Sequence, residues 1–262
     1  MADAPILSLR GINKSFGPVH VLKDVDFEAR TGEVTALVGD NGAGKSTLVK
    51  IIGGTHSIDS GTYEFDGHPV VVRRPRDAAA LGIEIVYQDL ALADNLDVVQ
   101  NMFLGRERVT GAVLDETSME ISAREVLDRL KVRTLASVRQ RVSSLSGGQR
   151  QTVAIAKAVL WNRRLVVLDE PTAALGVAQT AQVLDLVRQL ADQGVAVVLI
   201  SHNVIDVLQV ADRIAVLYLG QMAAIVERSS VDQQQVVEFI TTGRSGDRGI
   251  GQLVAQATGS AY

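Results

Sequence analysis

The chain has 262 residues, with 26 Lys and Arg against 30 Asp and Glu, for a formal net charge of −4. Hydrophobic residues at 47% and charged residues at 21% are globular values, so wholesale disorder is excluded, and the mild acidity argues against a dedicated nucleic-acid binder. The absence of cysteine excludes disulfides, thiolate catalysis and thiolate-bound zinc. The longest clean apolar run, Val195 to Ile200, is far short of the roughly 18 residues a membrane span needs. The N-terminus, MADAPILSLR, lacks a basic region followed by an apolar core, so no secretory signal is expected and the chain reads as cytosolic.

Short strand-like runs come first. Ile6 to Ile12, Val25 to Ala29 and Thr62 to Gly67 show approximate period-two alternation. Glu33 to Gly39 differs, being apolar on both faces, as a strand covered by helices on two sides requires. It runs directly into Gly39-Asp-Asn-Gly-Ala-Gly44-Lys45-Ser46, which fits the G-x-x-x-x-G-K-[ST] phosphate loop, and a helical stretch from Ser46 to Ile52 follows. Glycines let the backbone wrap phosphate oxygens, and the helix N-terminus adds fixed positive potential. Lys45 can reach the outer phosphates and Ser46 can ligate Mg²⁺. The run Arg73, Arg74 and Arg76 reads as a solvated face, and His20, His56 and His68 lack transition-metal spacing.

The pattern turns helical between about Asn95 and Trp161. Thr117 to Glu120 resembles a capping box, with Ile121, Val126, Leu127 and Leu130 expected on one apolar side. A second helix opens at Gly147-Gly148, with Val153, Ile155, Ala156, Val159 and Leu160 as its apolar positions. Arg164 to Glu170 and Gly194 to Ser201 are further doubly apolar strands, and a helix from Val177 to Gln193 lies between them. Strand Leu165 to Asp169 ends in two acids. Asp169 is placed to hold Mg²⁺ through water, and Glu170 to polarise an attacking water. The last stretch, 243–262, is glycine-rich with weak periodicity and reads as a flexible tail.

These pieces together resemble the ABC (ATP-binding cassette) ATPases. Leu145-Ser146-Gly147-Gly148-Gln149 is similar to their signature motif and stands 23 residues before Asp169. Gln88 resembles the Q-loop glutamine, His202 the switch histidine, and Phe16 the aromatic that stacks on adenine. The likeness runs from about residue 6 to 242. It implies an α/β fold with a RecA-like P-loop ATPase core, an N-terminal antiparallel β portion and an inserted α-helical subdomain. On that reading 1–87 and 166–242 form the core and 88–165 the helical insert.

The resemblance implies ATP and Mg²⁺ as ligands. Phe16, Gly39, Asn41, Gly42, Gly44, Lys45, Ser46 and Thr47 would bind ATP, and Ser46, Gln88 and Asp169 would hold Mg²⁺. Glu170, His202 and Gln88 would be catalytic. Ser146, Gly147, Gly148 and Gln149 would act on the ATP of a second cassette packed head to tail. Asp169 to Val177, DEPTAALGV, and Ile85 to Glu107 further resemble the ATPases of bacterial monosaccharide importers. That implies a separate membrane permease, a periplasmic sugar-binding protein and a peripheral place on the cytoplasmic face of the inner membrane, with no nucleic acid. The alternatives are a soluble ABC ATPase of translation or DNA repair, or a subunit of a non-sugar transporter. Gly176 stands where many members have an Asp that joins the two ATP sites.

Overall fold

The computed structural model describes residues 4–132, 134–161, 163–246 and 248–249. Its strands are β1 (Leu7–Phe16), β2 (Val19–Ala29), β3 (Val34–Val38), β4 (Ser60–Phe65), β5 (His68–Pro69), β6 (Ile83–Val86), β7 (Val109–Thr110), β8 (Val113–Leu114), β9 (Leu165–Asp169), β10 (Ala196–Ile200), β11 (Arg213–Tyr218), β12 (Gln221–Glu227), β13 (Arg244–Ser245) and β14 (Arg248–Gly249). Its α-helices are α1 (Lys45–Ile52), α2 (Pro75–Ala80), α3 (Val98–Phe103), α4 (Glu116–Arg129), α5 (Gly147–Val159), α6 (Val177–Asp192), α7 (Val204–Val210) and α8 (Gln233–Thr242). No helix among these residues is long and apolar enough to cross a membrane.

The central sheet has the order β12-β11-β3-β10-β9-β6, parallel except where β12 pairs antiparallel with β11. Its middle strands are apolar on both faces because both are covered. In β9, Leu165 and Val167 face a core shared with α1 and the antiparallel sheet β2-β1-β4-β5, whereas Val166 and Leu168 face a core shared with α3 to α6. A third cluster packs α7 and α8 on β11 and β12. On the polar side of the first strands Ser8 and Glu28 are buried, Glu28 pairing with Arg10, whereas Arg10, Asp26 and Glu64 stay partly exposed and Thr62 is exposed.

Between β6 and β9 the regular structure is mainly helical, but it also contains the exposed hairpin β7–β8. This hairpin moves the start of α4. The cap is Asp115, whose carboxylate accepts from Ser118 N at 3.0 Å, and not Thr117. The buried stripe of α4 runs through Met119, Ala123, Val126 and Leu127, and Ile121 faces solvent. The residue range expected to form a flexible tail starts with structure. Gly243 ends α8 at φ 71°, β13 pairs with β14, and Ser245 Oγ donates to Glu238 Oε2 at 2.7 Å. The rest of the tail, 250–262, lies outside the described residues.

Candidate active site

The phosphate loop leaves the end of β3, and its shape depends on missing side chains. At Gly39 (φ 154°) a Cβ would stand 2.2 Å from the Leu217 carbonyl oxygen, and at Gly44 (φ 108°) 2.7 Å from a Leu22 methyl. Only glycine fits either place. Gly44 is the N-cap of α1 and supplies no side-chain cap, so the helix's first N–H groups stay open to a ligand. Lys45 folds back over the loop, donating from Nζ to Gly39 O at 2.7 Å and Asp40 O at 3.0 Å. Burial lowers its pKa, while the charges of Glu170, Asp40 and Asp169 oppose that shift.

The acids arrive on β9. Asp169 pairs across the ladder with Ile200 at the carboxyl end of β10, and the Glu170 N–H donates to Ile200 O at 3.0 Å. Glu170 adopts φ 49°, a left-handed conformation that costs a non-glycine residue about 1 kcal/mol. Its Oε2 lies 3.1 Å from His202 Nδ1, on a side chain that is 66% exposed. Burial, and then the adjacent Glu170 charge, push the Asp169 carboxyl above the usual carboxylate range.

One cavity of about 250 Å³ collects most of the expected binding residues. Asn41, Gly42, Gly44, Lys45, Ser46, Thr47, Asp169 and Glu170 line it, together with Val21 and Ile200. A hydroxyl (Ser46) and a carboxylate (Asp169) in its lining are the hard oxygen donors that Mg²⁺ prefers. The open cradle and Lys45 suit a polyphosphate. Val21 gave no signal in the sequence. It borders the site only because the β1–β2 hairpin packs behind Gly44.

The other expected residues stand apart from this cavity. Gln88 is exposed, two residues beyond β6, where the β6–β9 register carries it off the same sheet edge as Glu170. Phe16 ends β1 at 42% exposure, edge-on to His56 with ring centroids 5.1 Å apart. Ser146 to Gln149 open α5. The Ser146 hydroxyl accepts from Gln149 N at 3.4 Å, the Gln149 side chain accepts from Ser146 N at 2.9 Å, and Gln149 Nε2 donates to Thr134 O at 2.6 Å. The Gly148 position packs on Gln179 of α6, one turn beyond Gly176.

Comparison with known proteins places this geometry. Residues 22–173 match the ABC transporter family. The chain belongs to that family. It is an ATP-binding subunit whose hydrolysis of ATP is coupled to transport. It is 42% identical over 247 residues to the xylose/arabinose import ATP-binding protein XylG of Sulfolobus acidocaldarius, covering 94% of this chain and 98% of that one. It is 42% identical to the fructose import ATP-binding protein FrcA of Rhizobium meliloti, covering 95% and 98%. Ribose import ATP-binding protein RbsA 2 of Escherichia coli O157:H7 is 39% identical over 92% of this chain, which spans 47% of that relative. Among solved structures, a nucleotide-free ATP-binding cassette from an ABC transporter superposes with TM-score 0.78 at 26% identity, covering 92% of this chain and all of that one.

Proposed function

We propose that this subunit powers uptake of a small solute, a monosaccharide, through a separate membrane permease on the cytoplasmic face of the inner membrane. A periplasmic sugar-binding protein would deliver the solute. The observation that carries the catalytic part is the cavity in which Lys45, Asp169 and Glu170 meet, with His202 3.1 Å from Glu170. The likeness to xylose/arabinose, fructose and ribose import proteins supports the solute class.

In this reading the N–H groups of Gly39 to Ser46 and the Lys45 ammonium hold the phosphates, with Asn41 and Thr47 on the same wall. Ser46, Asp169 and Gln88 would hold Mg²⁺, which would supply charge neutralisation at the phosphate oxygens. Glu170 accepts a proton from the attacking water as its oxygen bonds to the terminal phosphorus and the bond to the ADP oxygen breaks. His202 orients Glu170 and the outer phosphate, and Phe16 stacks on adenine. Two copies pack head to tail, so that Ser146 to Gln149 of one close over the phosphates of the other. Residues 88–165 act as the helical subdomain that carries this closure to the permease.

The test is purification of the Glu170→Gln variant from detergent-solubilised cells with ATP and Mg²⁺. A polytopic membrane protein in about equal amount is the expected result. Ribosomal or DNA-repair partners, without a membrane protein, would overturn the import reading.

A further inference from the structure

Glu170 and His202 sit on separate loops. One leaves β9 and the other leaves β10. The last ladder pair is Asp169 with Ile200, and the last backbone bond is Glu170 N to Ile200 O. Beyond that bond the sheet holds neither side chain, yet the two meet at 3.1 Å.

A third residue ties the loops together. Asp206, in the first turn of α7, is buried, at 6% exposure. Its Oδ2 accepts from Thr172 Oγ1 at 2.7 Å, and Thr172 lies two residues after Glu170. Its Oδ1 accepts from Asn203 Nδ2 at 3.0 Å, and Asn203 is the residue after His202. Asn203 is fixed in turn. Its backbone N–H donates to Ser201 Oγ at 3.0 Å, and its side-chain oxygen caps Ile205 N at 3.0 Å.

We infer that Asp206 is a positioning residue that sets the Glu170–His202 geometry by tying the two loops to one buried carboxylate. It touches no reacting atom. The inference rests on the roles proposed above for Glu170 and His202. A carboxylate suits this task because it accepts on both oxygens and donates on neither. An amide would turn an NH₂ group toward one of two donors, and an alanine would leave both donors unpartnered. The competing role is purely structural. Asp206 stands in the first turn of α7, where an acid favours the helix whatever the loops do.

The two roles separate in steady-state phosphate release measured against ATP concentration, with the full chain. A positioning role predicts that Asp206→Asn lowers kcat about tenfold to a hundredfold, the cost of misplacing a catalytic group, while the KM for ATP changes less than about twofold. Thr172→Val should match it, Thr172→Ser should restore turnover, and the double variant should be no worse than either single one. Unchanged kcat with a lowered Tm would overturn the inference, as would additive losses in the double variant. Should Asp206→Asn fail to fold, Thr172→Val decides alone, since it removes one hydroxyl at constant shape. Glu170→Gln is assayed alongside. If it retains turnover, the catalytic reading falls. If it is inactive while the Asp206 and Thr172 variants are normal, only this inference falls.

Discussion

The helices that follow the phosphate loop and the signature open in opposite ways. α1 starts on Gly44, in a left-handed conformation and with no side-chain cap, so its orphan N–H groups face a cavity walled by Lys45, Asp169 and Glu170. α5 starts on Ser146, and its cap is reciprocal with Gln149, which is anchored in turn on the Thr134 carbonyl. A helix end left open is prepared for an anion from outside. A helix end whose cap is already made needs no ligand to complete it, and Ser146 and Gly147 still stand exposed on it. Within one chain, the first is a pocket and the second a rim. The contrast fits the head-to-tail pair proposed above, in which the rim of one copy would serve the pocket of the other.

The largest expected effect breaks the pocket's chemistry. Glu170→Gln should lower phosphate release by about 10²–10⁴-fold, the range for loss of a general base, while ATP still binds. Next is Lys45→Ala, which removes the pocket's cation. A titration with a fluorescent nucleotide should show affinity lower by about tenfold or more, as loss of a charge-assisted bond predicts. Ser146→Ala tests the rim. It should cost about 1 kcal/mol of cap energy, read as a fall in Tm of about 2–4 °C, with nucleotide affinity of the isolated subunit unchanged. A loss of affinity in that variant would place the signature in its own chain's pocket.

Asp169→Asn has a pH signature. Burial and the Glu170 charge raise the Asp169 pKa in the folded chain. A raised carboxyl stabilises the fold fully below its unfolded value, and that contribution is lost as pH rises through the folded value. The asparagine should therefore raise the Tm of the nucleotide-free protein at neutral pH. The gain should vanish on acidification into the carboxylate range, where the native side chain is protonated too. The smallest effect belongs to α6, which opens on Gly176 with no side-chain cap and open space around its Cβ position. Gly176→Asp should add a few tenths of a kcal/mol, a Tm rise of about 1 °C.

The pocket was legible wherever its parts are adjacent in sequence. A buried strand, a glycine turn and a lysine in direct succession from Val34 to Lys45 state their own geometry, and so does a strand ending in Asp169 and Glu170. The meeting of Glu170 with His202 was not legible from spacing. It depends on β9 and β10 being parallel neighbours in one sheet, a long-range fact; the family resemblance implied that both residues are catalytic but not that they touch. Asp206 and Thr172 gave no signal, because a single acid in a helix's first turn is ordinary. In α4 the reading failed for local reasons. Asp115 and Thr117 are both competent caps, and the β7–β8 hairpin decides for Asp115. Ile121 faces solvent for a different reason: at 3.6 residues per turn it lies about 140° round the helix from Val126, whereas Met119 lies on the Val126 side and is buried.

The central claim, that one copy's rim completes another copy's pocket, is tested most directly by mixing two inactive variants. Lys45→Ala has a damaged pocket and an intact rim, and Ser146→Arg the reverse. Each alone should release little phosphate. Mixed in equal amounts they should recover clear activity, because a mixed pair contains one site with an intact pocket and an intact rim. Absence of recovery, with both variants folded and exchanging partners, would contradict the account.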